Sequence, residues 1–306
     1  MASKTYTIVG LGELLWDLFP EGKQLGGAPA NFAYMTNLLG DTGVVASRLG
    51  EDALGREAIQ RLQNLGLQTK YVQADAAHPT GTAKLEVDPR GQPTFEITEG
   101  VAWDHLTWTP EWKALAESAD AVCFGSLAQR CAASRDAIRA FLKAVQPGTI
   151  RVFDVNLRQN FYSAQVLAES AALADIIKVN HEELPVVAKL LELPFIYSDL
   201  RAAQWLREKF GTKLVCMTRG ARGSLLVGEE ISEHPGYRVH VADTVGSGDA
   251  YTAALVYHYL RGASVATMNE AANRLGSWVA TQAGATPVGD EFHLEKVRLA
   301  VAQEEI

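Results

Sequence analysis

Short apolar runs rich in valine and isoleucine alternate with longer stretches of helical periodicity over most of this chain. A short apolar run predicts a buried strand, and apolar positions three and four residues apart predict a helix with one buried face. Alternating strands and helices form a mainly parallel sheet that is covered on both faces. The predicted strands are Thr5–Leu11, Thr42–Leu49, Ala121–Gly125, Ile150–Asp154, Ile176–Val179 and Leu214–Thr218. The predicted helices are Asn31–Leu39, Asp52–Leu65, Ala133–Ala144, Ala164–Leu173, Leu184–Leu191, Leu200–Lys209, Ala250–Leu260 and Met268–Gln282.

Two regions depart from this alternation. Polar and apolar residues alternate from Thr82 to Val87, a turn is predicted at Asp88–Gly91, and Thr94–Thr98 predicts a returning strand. No helix surrounds this hairpin, so we expect it to stand off the main body. Later in the chain, Gly223–Val227 and Tyr237–Val241 predict a second pair of strands.

Length and composition are typical of a soluble globular protein. The chain has 306 residues, and because no linker or repeat divides it we expect residues 1–306 to form one domain. Lysine and arginine number 28 against 36 aspartate and glutamate residues, which gives a formal net charge of −8. An acidic chain without a basic run argues against nucleic acid or an anionic membrane as the partner. Local amides and a few cations can still bind a small anion.

The cysteines and the N-terminal segment bear on location. Cys123, Cys131 and Cys216 are too few and too scattered for a disulfide framework or a zinc site, which predicts reduced thiols. The first apolar run is broken by Glu13 and Asp17, and this argues against a signal peptide or a membrane span. We therefore expect a cytoplasmic protein.

The stretch Asp243-Thr244-Val245-Gly246-Ser247-Gly248-Asp249 stands directly before a predicted helix. Glycines on both sides of Ser247 allow a tight turn, and a helix N-terminus adds free amides and partial positive charge. Such a turn suits an anion, usually phosphate. A carboxylate at Asp249 makes sense beside that anion where it removes a proton from a nucleophile that attacks the phosphate. The alternative is that Asp249 only caps the helix.

Polar clusters follow several of the predicted strands. Ligands of doubly wound folds bind at the carboxyl ends of strands, although each cluster alone is also consistent with a cap or a solvated loop. The clusters are Glu13 to Asp17, Asn156 with Arg158, Asn180 with Glu183, and Thr218 with Gly220 and Gly223. A second glycine turn, Gly26–Asn31, is consistent with a phosphate cradle, with close approach of a sugar-sized ligand, or with a plain helix entry.

Several familiar site motifs are missing from the sequence. Gly22-Lys23 is followed by Gln24, so no P-loop is present, and Gly10-Leu11-Gly12 lacks the third glycine of the dinucleotide fingerprint. The seven histidines show no metal-ligand spacing, and no serine stands in a nucleophile elbow. The broken fingerprint opposes a dehydrogenase.

The two glycine turns together identify a family. The chain resembles the ribokinase/fructokinase-type (PfkB-type) carbohydrate kinases over nearly its whole length. Gly26-Gly27-Ala28-Pro29-Ala30-Asn31, with Gly40 and Gly50 downstream, is similar to the N-terminal signature. Asp243–Asp249, followed by Ala253-Ala254-Leu255, is similar to the C-terminal one. Two separated signatures in the right order are far more specific than one glycine loop.

This resemblance implies a fold and a set of partners. The fold would be the ribokinase-like three-layer α/β/α, doubly wound and mainly parallel, with a small β-lid built from about residues 12–26 and 80–100. The lid would exclude water from the site, and its outer face would allow a homodimer to form. The small-molecule partners would be a sugar and ATP with Mg²⁺, and K⁺ would be a candidate activator.

The resemblance also implies roles for single residues. Asp249 would be the catalytic base, and Gly246, Ser247 and Gly248 would form the anion hole. The sugar contacts would be Asp17, Gly27, Asn31 and Arg158. The nucleotide side would comprise Asn180, Glu183, Thr218, Gly220, Gly223 and Asn273, with Glu183 acting on magnesium through water. Asp243 would belong to a monovalent cation site.

The opening Gly12-Glu13-Leu14-Leu15-Trp16-Asp17-Leu18-Phe19-Pro20 most resembles fructokinases, which predicts phosphorylation of fructose at its 6-hydroxyl. Within the class, the alternative is 2-keto-3-deoxygluconate kinase, whose substrate carries a carboxylate that only Lys84 and Arg90 of the lid would serve. A ribokinase, another sugar kinase of the family or a nucleoside kinase is less favoured. Nucleoside recognition would need stacking aromatic side chains, and Phe95, Trp103 and Trp108 keep that alternative open. The alternative of another class is a non-catalytic sugar-binding regulatory relative, and the retained Asp249 argues against it.

Overall fold

Thirteen strands and ten α-helices make up the described part of the chain. The computed structural model describes residues 4–20, 22–87, 93–193 and 198–299. The strands are β1 (Thr7–Leu11), β2 (Leu15–Phe19), β3 (Gly22–Gly26), β4 (Thr42–Gly50), β5 (Val72–Asp75), β6 (Gly81–Val87), β7 (Pro93–Ile97), β8 (Ala121–Gly125), β9 (Ile150–Asp154), β10 (Ile176–Asn180), β11 (Leu214–Thr218), β12 (Ser224–Val227) and β13 (Ile231–His234). The helices are α1 (Ala28–Leu38), α2 (Ala53–Asn64), α3 (Pro110–Ser118), α4 (Ala132–Ala144), α5 (Ala164–Leu173), α6 (Leu184–Leu190), α7 (Asp199–Phe210), α8 (Ser247–Tyr259), α9 (Val265–Ala280) and α10 (Glu291–Leu299).

The main sheet has nine strands in the order β13-β12-β11-β10-β9-β8-β1-β4-β5. All its pairings are parallel except β11 with β12 and β12 with β13. The chain winds outward from β1 in both directions, first to β4 and later to β8. In a doubly wound sheet this reversal opens a crevice at the carboxyl ends of the strands, where ligands bind.

Helices cover both faces of the main sheet, as the alternating pattern predicts. One core cluster joins α3 to α7 to one face and includes Trp112, Phe141 and Phe153. The other joins α1, α2, α8, α9 and α10 to the opposite face and includes Phe32 and Leu255. The resulting three layers confirm the predicted α/β/α fold class.

A second, smaller sheet stands apart, in the order β3-β2-β6-β7. The predicted hairpin is confirmed as the antiparallel pair β6 and β7, while the predicted turn Asp88–Gly91 lies outside the described residues. Strand β2 pairs with β6 in parallel and with β3 in antiparallel fashion. The two segments expected to form the lid therefore belong to one sheet.

The structure corrects some predicted elements. Tyr237–Val241 is not a strand, because Ile231–His234 takes the place beside β12 after a tight turn in which Gly228 N–H donates to the Glu230 carbonyl oxygen. Helix α1 begins at Ala28, three residues before the predicted start, since Pro29 is well suited to the first helical turn. Strand β5 and helices α3 and α10 were not predicted.

Two smaller expectations can also be checked. Cys123, Cys131 and Cys216 are free thiols, as predicted. None of the helices in the described ranges is both long enough and apolar enough to cross a membrane.

Candidate active site

The glycine turn before α8 is built to present backbone amides. Gly246 is the N-cap with a φ of 77°, and a Cβ there would lie 2.6 Å from Ala285 Cα. Ala250 N–H makes the first helical bond, 2.9 Å long, to the Gly246 carbonyl oxygen. The amides of Gly248 and Asp249 precede that bond and are therefore available to an anion at the helix N-terminus.

Ser247 has a second contact besides its backbone role. Its Oγ donates a 2.8 Å hydrogen bond to the carbonyl oxygen of Gly276 in α9. The two helices pack closely here, since a Cβ at Gly276 would lie 3.1 Å from the Ser247 carbonyl oxygen. The hydroxyl therefore fixes the start of α8 against α9.

Asp249 lies in the first turn of α8 and meets the other glycine turn. Asn31 Nδ2 donates a 2.8 Å hydrogen bond to Asp249 Oδ2. Burial, with the Asp154 carboxylate as the next cause, raises the pKa of Asp249 from 3.8 to about 6, against the opposing effect of Asn31. A carboxyl group with this pKa is charged at neutral pH and is a stronger base than an exposed aspartate.

The paired glycines before α1 make room for two acidic residues. A Cβ at Gly26 would lie 2.2 Å from Asp17 Oδ2, and a Cβ at Gly27 would lie 2.6 Å from the Glu13 carbonyl oxygen. Gly27 also has a φ of 114°, which favours glycine. The bare backbone of this turn thus packs directly against the segment that carries Glu13 and Asp17.

Three carboxyl groups gather near one arginine. Burial raises the pKa of Glu13 from 4.5 to about 7 and that of Asp17 from 3.8 to about 6. The Arg158 guanidinium acts in the opposite direction on Glu13, Asp17 and Asp249 alike. Arg158 therefore faces the acidic groups from the loop after β9.

Two clefts meet at the glycine turn. The smaller, of about 440 Å³, is lined by Asp17, Gly27, Asn31, Arg158, Gly246 and Asp249. The larger, of about 620 Å³, is lined by Thr218, Gly220, Gly223, Ser247 and Asn273. Lys178, Asn180, Thr244 and Gly248 border both clefts. The acid group and the helix amides thus lie where the two spaces join.

Lys178 was missed by sequence reasoning. It is buried in β10, and its Nζ donates a 3.0 Å hydrogen bond to Asp154 Oδ1. Asp154 and the neighbouring carboxylates raise the pKa of Lys178 to about 12 despite the opposing effect of burial. A Cβ at Gly248 would lie 3.2 Å from Nζ, so the ammonium group sits directly beside the glycine turn. The available signal was a lysine inside an otherwise apolar strand.

Asn180 and Glu183 form a local brace at the end of β10. Glu183 Oε2 accepts from Asn180 N–H and Oε1 from Leu157 N–H, each at 2.9 Å. Asn180 Oδ1 in turn accepts from Glu183 N–H at 2.8 Å. Glu183 is buried and lines neither cleft, because both of its oxygens hold backbone amides.

The nucleotide-side residues line the larger cleft for different reasons. Thr218 ends β11, and a Cβ at Gly223 would lie 2.0 Å from the His234 carbonyl oxygen, so this loop packs closely against the end of β13. Asn273 Nδ2 donates 2.7 Å hydrogen bonds to Ser224 Oγ and to the Asn269 carbonyl oxygen. Tyr237–Val241, wrongly predicted as a strand, contributes Tyr237 and Val241 to the lining.

Asp243 links two loops beside the clefts and lines neither. Its Oδ1 accepts from Val245 N–H at 3.0 Å and its Oδ2 from Gly284 N–H at 3.2 Å. This carboxylate brings the neighbourhoods of Val245 and Gly284 together.

The two tryptophans considered as contacts for a nucleoside substrate lie outside the smaller cleft. Trp103 belongs to the buried core, and Trp108 packs against Phe141 with ring centroids 6.2 Å apart. Neither lines the smaller cleft, and the side chain of Phe95 falls outside the described part of the structure.

Residues 19–290 match the sequence pattern of the pfkB family carbohydrate kinases. The chain belongs to this family. This carbohydrate kinase is 30% identical over 259 residues to a fructokinase of Klebsiella pneumoniae, a match that covers 80% of this chain and 82% of that relative. The protein is therefore a sugar kinase, as the two glycine signatures implied.

Solved structures agree with the fold of this carbohydrate kinase. An uncharacterized sugar kinase from Pyrococcus horikoshii superposes with a TM-score of 0.81 at 27% identity, over 95% of this chain and 99% of that one. A fructokinase of Xylella fastidiosa with bound ATP superposes with a TM-score of 0.80 at 22% identity, over 96% and 97% of the two chains. The second likeness bears on the fold alone.

Proposed function

We propose that this sugar kinase transfers the γ-phosphoryl group of ATP to the 6-hydroxyl of fructose. ATP would occupy the larger cleft and the sugar the smaller one. The observation that carries this assignment is the position of Gly248 and Lys178 on the border of both clefts, with Asp249 on the sugar side and Ser247 on the nucleotide side. An in-line transfer between the clefts would pass this junction.

The side chains at the junction fit the chemistry of phosphoryl transfer. Asp249 would accept the proton of the attacking hydroxyl, with Asn31 holding its carboxylate in place. The amides at the start of α8 and the Lys178 ammonium would stabilise charge that develops on the transferring group. Asn180 and the Glu183 brace would fix the loop between the two clefts, while Thr218, Gly220, Gly223 and Asn273 would contact the nucleotide.

The metal ions fit this scheme to different degrees. Within the described ranges, no group of three or more His, Cys, Asp or Glu residues could hold a metal ion. Mg²⁺ bound to ATP usually keeps phosphate and water ligands, so it would meet Asn180 through water, whereas Glu183, which lines neither cleft, would act by holding Asn180 in place. The loops that Asp243 joins would offer backbone carbonyls to K⁺.

The charge of the smaller cleft supports a neutral sugar. Among the described residues, its lining carries the carboxyl groups of Glu13, Asp17 and Asp249 and the cationic side chains of Arg158 and Lys178. Lys178 is paired with Asp154, which leaves Arg158 facing three acidic groups. A substrate carboxylate would add to this excess of negative charge, so fructose fits better than 2-keto-3-deoxygluconate.

The smaller sheet would act as the lid. Leu15, Phe19 and Gln24 of β2 and β3 line the smaller cleft, together with Ala83 of β6 and Ile97 of β7. Closure of this sheet over the sugar would exclude water and so limit hydrolysis of ATP. The edge strands β3 and β7 would allow a second copy to pair there and form a homodimer.

A coupled ADP-release assay with fructose, ribose, 2-keto-3-deoxygluconate and adenosine tests the substrate. We expect the highest kcat/KM with fructose, and strong activity on the keto-acid without activity on fructose would overturn the proposal. Asp249→Asn should lower kcat by about 10²- to 10⁴-fold with sugar binding retained, whereas Asp290→Asn on the surface should change little. Sugar binding without turnover in the wild type would indicate the non-catalytic alternative.

A further inference from the structure

Glu13 carries a buried oxygen that has no hydrogen-bond partner among the described residues. The residue is 3% exposed, and its Oε2 accepts no hydrogen bond from any described residue. Burying a carboxyl oxygen without a hydrogen bond is costly, so a residue with a purely structural role would be expected to have its oxygens satisfied.

Glu183 provides the contrast within the same site. It is 6% exposed, and both of its oxygens accept backbone hydrogen bonds of 2.9 Å. Two glutamates of similar burial therefore differ in one respect. Both carboxyl oxygens of Glu183 accept backbone hydrogen bonds, whereas Oε2 of Glu13 accepts none from the described residues. Asn31 Oδ1 is a second buried oxygen without a partner in the described structure, and the residue Asn31 belongs to the lining of the same cleft.

The open oxygen belongs to a side chain at the reacting end of the smaller cleft. Glu13 lines this cleft together with Asp249 and Arg158, and both charges act on its carboxyl group. It also borders a small pocket of about 10 Å³ that Asp154 and Asp249 line, which is about the space of one water molecule. The backbone of Glu13 packs directly against Gly27, since a Cβ at position 27 would lie 2.6 Å from the Glu13 carbonyl oxygen.

The Glu13 carboxyl can act in either protonation state. Burial raises its pKa to about 7, against the opposing effects of the Glu13 and Ala28 amides and of Arg158. The neutral acid can donate one hydrogen bond and accept others, whereas the carboxylate accepts only. A hydroxyl group, which both donates and accepts, is a suitable partner for each form.

We propose that Glu13 is a sugar-binding residue whose Oε2 forms a hydrogen bond with a second hydroxyl group of the sugar, other than the one that Asp249 deprotonates. This inference rests on the proposed function, because it requires the sugar in the smaller cleft. It assigns the open carboxyl oxygen to the substrate and makes Glu13 a determinant of sugar specificity.

Steady-state kinetics of Glu13→Ala and Glu13→Gln test this role, with Glu117→Gln on the exposed face of α3 as the control. Glu13→Ala should raise KM for the sugar by roughly 10- to 100-fold, as expected for the loss of a hydrogen bond to an ionisable group. The KM for ATP should stay within about twofold of the wild type, since the nucleotide cleft is untouched. Glu13→Gln keeps the side-chain volume and should show a smaller rise.

Fructose analogues in which one hydroxyl group is replaced by hydrogen locate the contact. For the analogue that lacks the contacted hydroxyl, Glu13→Ala should raise KM by less than about threefold relative to the wild type. An unchanged sugar KM in both folded variants, or an equal loss with every analogue, would overturn the inference. Should Glu13→Ala fail to fold, Glu13→Gln with the same analogues decides. If the wild type itself releases no ADP with any sugar, the proposed function fails, which is a different result.

Discussion

Asn31 Nδ2 lies 2.8 Å from Asp249 Oδ2, so one hydrogen bond joins the two glycine turns across 218 positions of sequence. The carboxylate of Asp249 needs a donor, which directs the amide nitrogen of Asn31 toward α8. The bond favours the charged form of Asp249 and opposes the burial that raises its pKa. Asn31 thus helps to keep the proposed base ionised near neutral pH.

Asn31→Ala should therefore change the pH dependence of catalysis. Without the donor, the pKa of Asp249 rises further above about 6, and the acid limb of kcat/KM moves to higher pH. We expect a loss of roughly 10-fold at pH 6 and a smaller loss at pH 8. Asn37→Ala, on the same helix but bonded to Gly43 and Gly66, should leave this limb in place. An unshifted limb in Asn31→Ala would contradict the assignment of Asp249 as the titrating base.

The two ends of β3 offer a matched pair of glycine substitutions. A Cβ at Gly26 would overlap Asp17 Oδ2 at 2.2 Å, whereas a Cβ at Gly22 meets no atom within 4 Å. Gly26→Ala should displace the Asp17 carboxylate and raise KM for the sugar by about 10-fold or more, because a group placed to bind the sugar would be misplaced. Gly22→Ala should leave KM unchanged. Equal KM values in the two variants would argue against a sugar contact at Asp17.

Local pattern was enough to predict much of this site. The apolar runs that predict parallel strands also bring the polar residues after β1, β9, β10 and β11 to one edge of the sheet. That edge is where Arg158, Asn180 and Thr218 lie. The two glycine signatures also predicted Asn31 and Asp249 as site residues, and a hydrogen bond joins them in the structure.

What the sequence did not reveal depends on contacts between distant segments. Lys178 sits in an apolar strand, and only its pairing with Asp154 across β9 and β10 explains a buried charge there. The alternation in Tyr237–Val241 suggested a strand, but the tight turn after β12 favours the more polar Ile231–His234. Likewise, only the folded structure shows that the buried Oε2 of Glu13 has no hydrogen-bond partner among the described residues.

Lys178 should be important for both stability and turnover. Lys178→Met leaves Asp154 buried without its cation, which should lower the free energy of unfolding by about 3–5 kcal/mol. Lys213→Met removes a partly exposed partner of Asp175 and should cost about 1 kcal/mol or less. Urea unfolding compares the two variants. In the folded Lys178→Met fraction, kcat should also fall by about 10²- to 10³-fold, since the ammonium lies beside the proposed anion hole. Equal stability losses in both variants would contradict a buried ion pair.

The raised pKa of Asp249 also predicts a conflict between stability and activity. Its pKa is 3.8 in an exposed chain and about 6 in the folded protein. Between these values the folded state keeps a proton that the unfolded chain has released, so this residue's contribution to stability falls as pH rises through the window. Above pH 6 the buried carboxylate is charged, which lowers the stability of the folded state, and a neutral amide in the same place would not have this effect.

Asp249→Asn should therefore be inactive and yet more stable than the wild type at pH 8, by roughly 2–4 °C in Tm. The difference should shrink toward pH 4, where the wild-type carboxyl group is neutral as well. The exposed Asp290, whose pKa His293 lowers, should show no such gain in Asp290→Asn. Thermal melts of the three proteins at both pH values provide the comparison. A lower Tm of Asp249→Asn than of the wild type at pH 8 would contradict this prediction. It would show that the charged carboxylate stabilises the fold, and that Asn31 and Lys178 offset the cost of its burial more strongly than the raised pKa implies.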